Sequence, residues 1–189
     1  VGALCEDDKM RLVFLVIMLP WIAAAQSCPP VPDISDAKSV WMQKLQTAPD
    51  EAVAQTINNE IWLLWTKAPD AKAQALLDNG MQRREAYDFA AARTLLTKLI
   101  EYCPDYAEGW NQRAFVYFLN ADYALALEDL EKALELSPDH YAAMSGLALT
   151  LMNLGRMESG QSVLRDAVKL NPWLPERSML IDNPKGTEL

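Results

Sequence analysis

The stretch Glu135-Leu-Ser-Pro-Asp-His140 closes one apolar segment and opens the next. It has two counterparts, Glu101-Tyr-Cys-Pro-Asp-Tyr106 before it and Lys169-Leu-Asn-Pro-Trp-Leu174 after it, so that Pro104, Pro138 and Pro172 stand 34 residues apart. Proline cannot continue a helix but starts one well. Each of these stretches therefore reads as a turn between helices, and a fixed period of this length implies stacked copies of a two-helix unit.

The same step runs through the apolar positions. Gly80, Ala114 and Ala148 form one series, Ala92, Ala126 and Gly160 another, and Leu96, Leu130 and Leu164 a third. Leu99, Ala133 and Ala167 keep it too, as do Phe89, Tyr123 and Met157. Small residues recur where two helices must approach closely, and leucines fill the space between pairs. The best copy is 107–140, with Trp110, Ala114, Tyr117, Tyr123, Ala126, Leu130, Ala133 and Pro138. Residues 141–174 repeat it with Leu147, Ala148, Leu151, Leu154, Gly160, Leu164, Ala167 and Pro172. Residues 73–106 keep Gly80, Ala92, Leu96 and Pro104, with Arg83 in place of the Tyr and Leu99 in place of the second Ala.

These residues resemble the tetratricopeptide-repeat family over residues 73–174. The resemblance implies an all-α chain: a right-handed α-solenoid of antiparallel helix pairs, with units at 73–106, 107–140 and 141–174. Upstream, residues 36–69 show helical periodicity in Val53, Ile57, Ile61, Leu64 and Trp65 without the signature. They read as a divergent N-terminal helical pair, an end unit with one face toward solvent. Residues 175–189 read as a C-terminal cap and tail; Trp173 and Leu174, just before them, cover the end of the third unit, and 182–189 fray.

Before the pair lie a Pro-rich linker, 26–35, and a leader, 1–25. Lys9 and Arg11 precede the apolar run Leu12–Leu19, and Ala23-Ala24-Ala25 follows it. Residues 10–25 therefore read as a signal peptide, too short in its apolar run to span a bilayer, and 1–9 as a spurious extension. The expected location is periplasmic or secreted, with a membrane-anchored lipoprotein, tethered through Cys28, as the alternative. Loss of the leader leaves Cys28 and Cys103. They either pair in an oxidising compartment or stay as two small unpaired residues, and sequence alone does not bring their Cα atoms together.

The chain has 189 residues, 51% hydrophobic and 23% charged, with a net charge of −9. It can bury a core, and without a basic stripe it is a poor nucleic-acid ligand. His140 is the single histidine, read as solvated or part of a helix cap, and no metal set, cofactor motif or catalytic motif is legible. Glu128, Asp129, Glu131 and Glu135 read as a solvated face.

The resemblance further implies that the first helix of each unit lines a concave side. The candidate partner-binding residues are Met81, Arg84, Asn111, Phe115, Phe118, Leu149 and Met152, with Gln74, Leu77, Glu108, Leu119, Ala142, Ser145 and Asn153 at neighbouring positions. Where some members grip a terminal carboxylate, this chain has Gln112, Ala142 and Gly146, so that role is not carried over. The lining suits an apolar peptide or amphipathic helix. Equally open is coverage of Phe115, Phe118 and Leu149 by the chain's own segment 173–181. The expectation is a non-enzymatic scaffold or assembly factor for a protein or peptide partner, with membrane contact only through a lipidated Cys28.

Overall fold

A computed structural model describes Gly2 and residues 27–181; the leader and the last eight residues, with the readings placed on them, lie outside the described residues. Eight α-helices follow in order: α1 (Ser35–Gln46), α2 (Glu51–Trp65), α3 (Ala71–Glu85), α4 (Phe89–Tyr102), α5 (Ala107–Leu119), α6 (Tyr123–Leu136), α7 (Tyr141–Asn153) and α8 (Met157–Leu170). A short 3-10 helix, Pro175–Met179, ends the described chain. No strand occurs among the described residues, and none of their helices is long and apolar enough to cross a membrane.

Local chemistry sets the helix starts. Asp50, Asp70 and Asp88 each accept a hydrogen bond from the backbone N–H three residues on, which satisfies one of the free donors of the first turn. The stops inside each unit are equally regular. Tyr87, Ala121 and Gly155 all take a left-handed φ, of 59°, 62° and 77°. The following residue donates back to the carbonyl five positions earlier, closing helices α3, α5 and α7 in the same way.

Helices α3–α4, α5–α6 and α7–α8 form the three units. The small residues work as the periodicity predicts. A Cβ on Gly80 would lie 2.8 Å from the Leu96 side chain, and one on Gly160 would lie 2.8 Å from the Ala148 carbonyl. The helices of a unit thus meet where no larger residue fits. Leu77, Leu96 and Leu99 of the first unit, and Leu130 with Ala114, Ala126 and Ala143 between the second and third, are buried.

The N-terminal pair departs from its expected place. It keeps a face to solvent, with Val40, Val53 and Leu63 exposed, but its apolar face packs on the third unit. Leu45, Ala54, Ile57, Ile61 and Trp65 share one core cluster with Tyr141, Ala167 and Leu174 of the third unit and its exit turn. Helix α2 lies across the edge where each second helix turns into the next first helix. The Tyr106 hydroxyl donates to the Trp65 carbonyl (2.7 Å), the Trp65 ring stacks on His140 at 3.7 Å, and both Tyr141 and Asn171 donate to Asn58 Oδ1. Helix α1 adds an ion pair from Lys38 to Asp139 (2.6 Å) and two bonds from Gln46 to the carbonyls of Lys169 and Leu170. The reason is the amphipathicity of α2: its apolar stripe needs a cover, and the edge of the third unit supplies one. Trp173 and Leu174 accordingly sit between the third unit and this pair.

Cys28 and Cys103 are joined in a disulfide, with their Cα atoms 5.1 Å apart across a sequence separation of 75 residues. The bond fastens the Pro-rich linker to the turn after α4.

Candidate functional site

The concave side holds a cavity of about 320 Å³. Its floor comes from the first helices of the units, as the resemblance implies. Asn111, Ala114, Phe115 and Phe118 project from α5, and Ala142, Ser145, Gly146 and Leu149 from α7, at the one-face spacing of three and four residues. Arg84 reaches in from α3. Two further walls complete it: Trp62 from α2, which was not expected, and Leu174, Pro175 and Glu176 from the C-terminal turn, part of the segment 173–181 expected to approach this floor.

Five of the seven candidate residues, Arg84, Asn111, Phe115, Phe118 and Leu149, therefore line one cavity. Met81 and Met152 do not. Met81 packs on the core of α3 and α4, and Met152 faces α8, where its sulfur lies 3.5 Å from Gln161 Nε2. Segment 173–181 does not bury the aromatic floor. It forms a side of the cavity, and Phe115 remains 44% exposed. Of the neighbouring positions, Leu77 is core, and Gln74 is engaged with the Thr66 and Ala68 backbone, fixing the link between α2 and α3.

The polar end of the cavity is a buried network. Glu108, one of the neighbouring positions, is buried and only 1% exposed. Its carboxylate accepts from Asn111, Gln112 and His140. His140 is buried, not solvated, and of its two readings the helix cap is the one observed. Its Nδ1 accepts the Ala143 N–H (3.2 Å) and caps α7, so its proton sits on Nε2, which donates to Glu108 at 2.9 Å. Gln112 Oε1 accepts in turn from Arg84. Burial pulls the Arg84 guanidinium below its ordinary value, opposed by the charges of Glu85 and Glu108, and the group lies 4.8 Å from the centre of the Phe115 ring. Buried charge is tolerated here because every member of the chain has partners.

A second buried pair lies outside the cavity. Asp129, read as part of a solvated face, is buried and takes two bonds of 2.7 Å from Arg113. Arg113 joins α5 to α6 and also bonds Thr97 of α4. It tightens the array and does not line this cavity.

The sequence signal for the floor was the family resemblance, carried onto this chain by the register of the repeat. No signal marked Trp62, because nothing in the pattern of α2 says which surface it will cover. Among the described residues, no group of three His, Cys, Asp or Glu is placed to hold a metal ion.

A tetratricopeptide-repeat family model matches residues 117–177. A repeat-containing protein of Rhizobium etli is 31% identical over 155 residues, covering 77% of this chain and 75% of the relative. Among solved structures, the first repeat domain of Spaghetti bound to the HSP90 peptide SRMEEVD superposes with a TM-score of 0.56 at 22% identity, over 57% of this chain and 86% of that one. The TPR2B domain of yeast Sti1, in its pHsp70 complex, gives 0.55 at 20% identity, over 59% of this chain and 91% of that one. These two likenesses concern the fold. The three registered units, the family model and the Rhizobium etli relative carry the family itself: the chain belongs to the tetratricopeptide-repeat family.

Proposed function

We propose that this protein is a non-enzymatic interaction scaffold or assembly factor of the periplasm, and that its concave cavity holds an apolar anchor of a partner polypeptide. The observation that carries this reading is the cavity itself. Trp62, Phe115, Phe118, Leu149 and Leu174 offer apolar surface around a space of about 320 Å³, and Phe115 remains partly open to solvent. A site of that size suits one or two large side chains. The walls formed by α2 and the C-terminal turn shorten the groove, which favours a short segment with one anchor over a long helix laid along it. That the domains of Spaghetti and Sti1 hold peptides supports a peptide as the class of ligand.

The location rests on the leader reading of residues 10–25 and on the disulfide, since such bonds persist in oxidising compartments. The second reading, a lipid tether through Cys28, competes for the same sulfur: an atom bonded to Cys103 has no thiol to acylate. Detergent partitioning of wild type against Cys28→Ala separates them. Equal partitioning into the aqueous phase supports the disulfide form, and a shift from detergent to water on substitution supports the tether.

The test of the scaffold reading is co-purification from envelope extract with wild type and with Phe115→Glu combined with Phe118→Glu. A partner retained by wild type and lost by the double variant is expected. A set of partners that is identical for both proteins contradicts the cavity as the binding site.

A further inference from the structure

One side chain joins the three helices that shape most of the cavity. The His140 ring stacks on Trp65 of α2 with centroids 3.7 Å apart, donates through Nε2 to Glu108 of α5 at 2.9 Å, and accepts through Nδ1 the Ala143 N–H of α7 at 3.2 Å. Helix α2 carries the wall residue Trp62, and α5 and α7 carry the floor. From Glu108 the bonds run on through Gln112 to Arg84, which lies over the Phe115 ring. His140 is buried and is the single histidine of the chain.

This arrangement fits one protonation state of the ring. Glu108 receives only donors, from Asn111, Gln112 and His140, so it stands as a carboxylate. It already holds the Nε2 proton, and a second proton must go to Nδ1. There it would face the Ala143 N–H, donor against donor, and would put positive charge at the N-terminus of α7, where the helix dipole opposes it. The imidazolium must then turn away from Ala143. A ring held between the Trp65 face and Glu108 cannot turn and keep both contacts.

The other charged and titratable groups around the ring come from every neighbouring element. Asp105 and Tyr106 before α5, Lys67 after α2, and Asp33 and Lys38 of the linker and α1 line the groove beside it. Asp139, next in the chain, pairs with Lys38. The Tyr106 hydroxyl is committed to the Trp65 carbonyl and Asp33 to the Ser35 N–H. Among the described residues, Glu108 is the one acid bonded to the ring.

Building on the cavity reading above, we propose that His140 is a proton-sensitive latch: its neutral ring holds α2 against α5 and α7, and its protonation releases the N-terminal pair and with it the Trp62 wall of the cavity. His140 does not line the cavity; it is a positioning residue that acts through Trp65 and Glu108. The latched state carries one proton fewer than the released state, so falling pH favours release.

The experiment is an NMR titration of the full, disulfide-intact protein from about pH 8 to about pH 5, the window in which imidazoles change charge, with and without toluene as a probe of the cavity. One histidine gives one ring Cε1–H signal. That signal and the amides of Trp62, Trp65 and Ala143 are expected to move on one curve. Toluene binding should weaken about tenfold one pH unit below the midpoint, as for a single competing proton. His140→Asn keeps an oxygen for the Ala143 N–H and does not titrate. It should hold the α2 amides and the toluene affinity flat over the same range. A ring signal that does not titrate in the window, a toluene affinity that ignores the titration, or α2 shifts that persist in His140→Asn overturns the latch. The first two are read from wild type alone, whatever the fold of the variant. If the ring and α2 move together but toluene binds at no pH, the apolar anchor site falls and the latch stands.

Discussion

The three-unit array and the N-terminal pair are both helical hairpins, yet they are held by different forces. The array is cemented by repetition: Leu96 against Gly80, Leu130 against Gly146, Leu99 against Gly109, each second helix fitting a gap left by a small residue. The pair is held by unrepeated contacts made far along the chain: an apolar cluster with Tyr141, Ala167 and Leu174, a Trp65–His140 stack, the Asn58 bonds and the Lys38–Asp139 ion pair, with a disulfide anchoring the linker before it. The lesson is that a regular solenoid supplies the floor of a binding site, while an irregular addition decides its walls and length.

The comparison breaks most sharply with one substitution in each region. Trp65→Ala removes a buried ring that stacks on His140 and meets Tyr141 edge-on. It should cost about 3–5 kcal/mol in the transition of the pair, while α3–α8 keep their amide protection in hydrogen exchange. Leu96→Ala, at a fully buried site of the array, should cost about 2–5 kcal/mol and lower protection across α3, α4 and α5 together. Loss of both regions at once in Trp65→Ala would mean that the pair is an integral layer of the array.

Reduction of Cys28–Cys103 comes next. It frees a loop of 75 residues and should lower stability by about 2–4 kcal/mol, measured as the difference between denaturant midpoints with and without reductant. Cys103→Ser should abolish that difference. Within the array, Gly80→Ala places a Cβ 2.8 Å from Leu96 and should cost about 1–3 kcal/mol by overpacking.

Smaller effects sharpen the same contrast. Tyr87 has a left-handed φ of 59° and is 82% exposed, whereas the equivalent position of the third unit is Gly155. Tyr87→Gly should therefore raise stability, by about 1 kcal/mol at most. Asp70 caps α3 at the junction of the two regions. The Ala73 N–H and then the Tyr102 hydroxyl hold its carboxyl below the ordinary carboxylate range. Its contribution is present above the unfolded carboxylate value near 4 and is lost as pH falls through the lower, folded value. Thermal melts from pH 7 to pH 3 should show a smaller acid-induced drop for Asp70→Asn than for wild type.

Legibility in the sequence followed the same division. The array was readable because its packing is local and repeated: a contact made between neighbouring units leaves its mark every 34 residues. The family's concave positions, carried over through the register, placed Arg84, Asn111, Phe115, Phe118 and Leu149 on one side, and they do meet. It failed for Met81 and Met152, since a position on the correct helix can still rotate toward the second helix of its unit. It failed for Glu108 and Asp129 because charge pattern does not reveal a partner such as His140 or Arg113. The place of α2 was illegible for a deeper reason. An amphipathic stripe of Ile57, Ile61 and Trp65 states that a surface must be covered and is silent on which surface covers it.

The fold-back of the N-terminal pair onto the third unit is the point on which the shape of the cavity depends, and zero-length carbodiimide coupling tests it directly. Lys38 Nζ lies 2.6 Å from Asp139 Oδ1, so the account predicts an isopeptide bond between Lys38 and Asp139 as a major product in the monomer, identified by mass spectrometry and absent in Lys38→Arg. Coupling of Lys38 instead to carboxylates of α3 or the α3–α4 turn, such as Asp78 or Glu85, with no Asp139 product, would put the pair at the head of the row and contradict it.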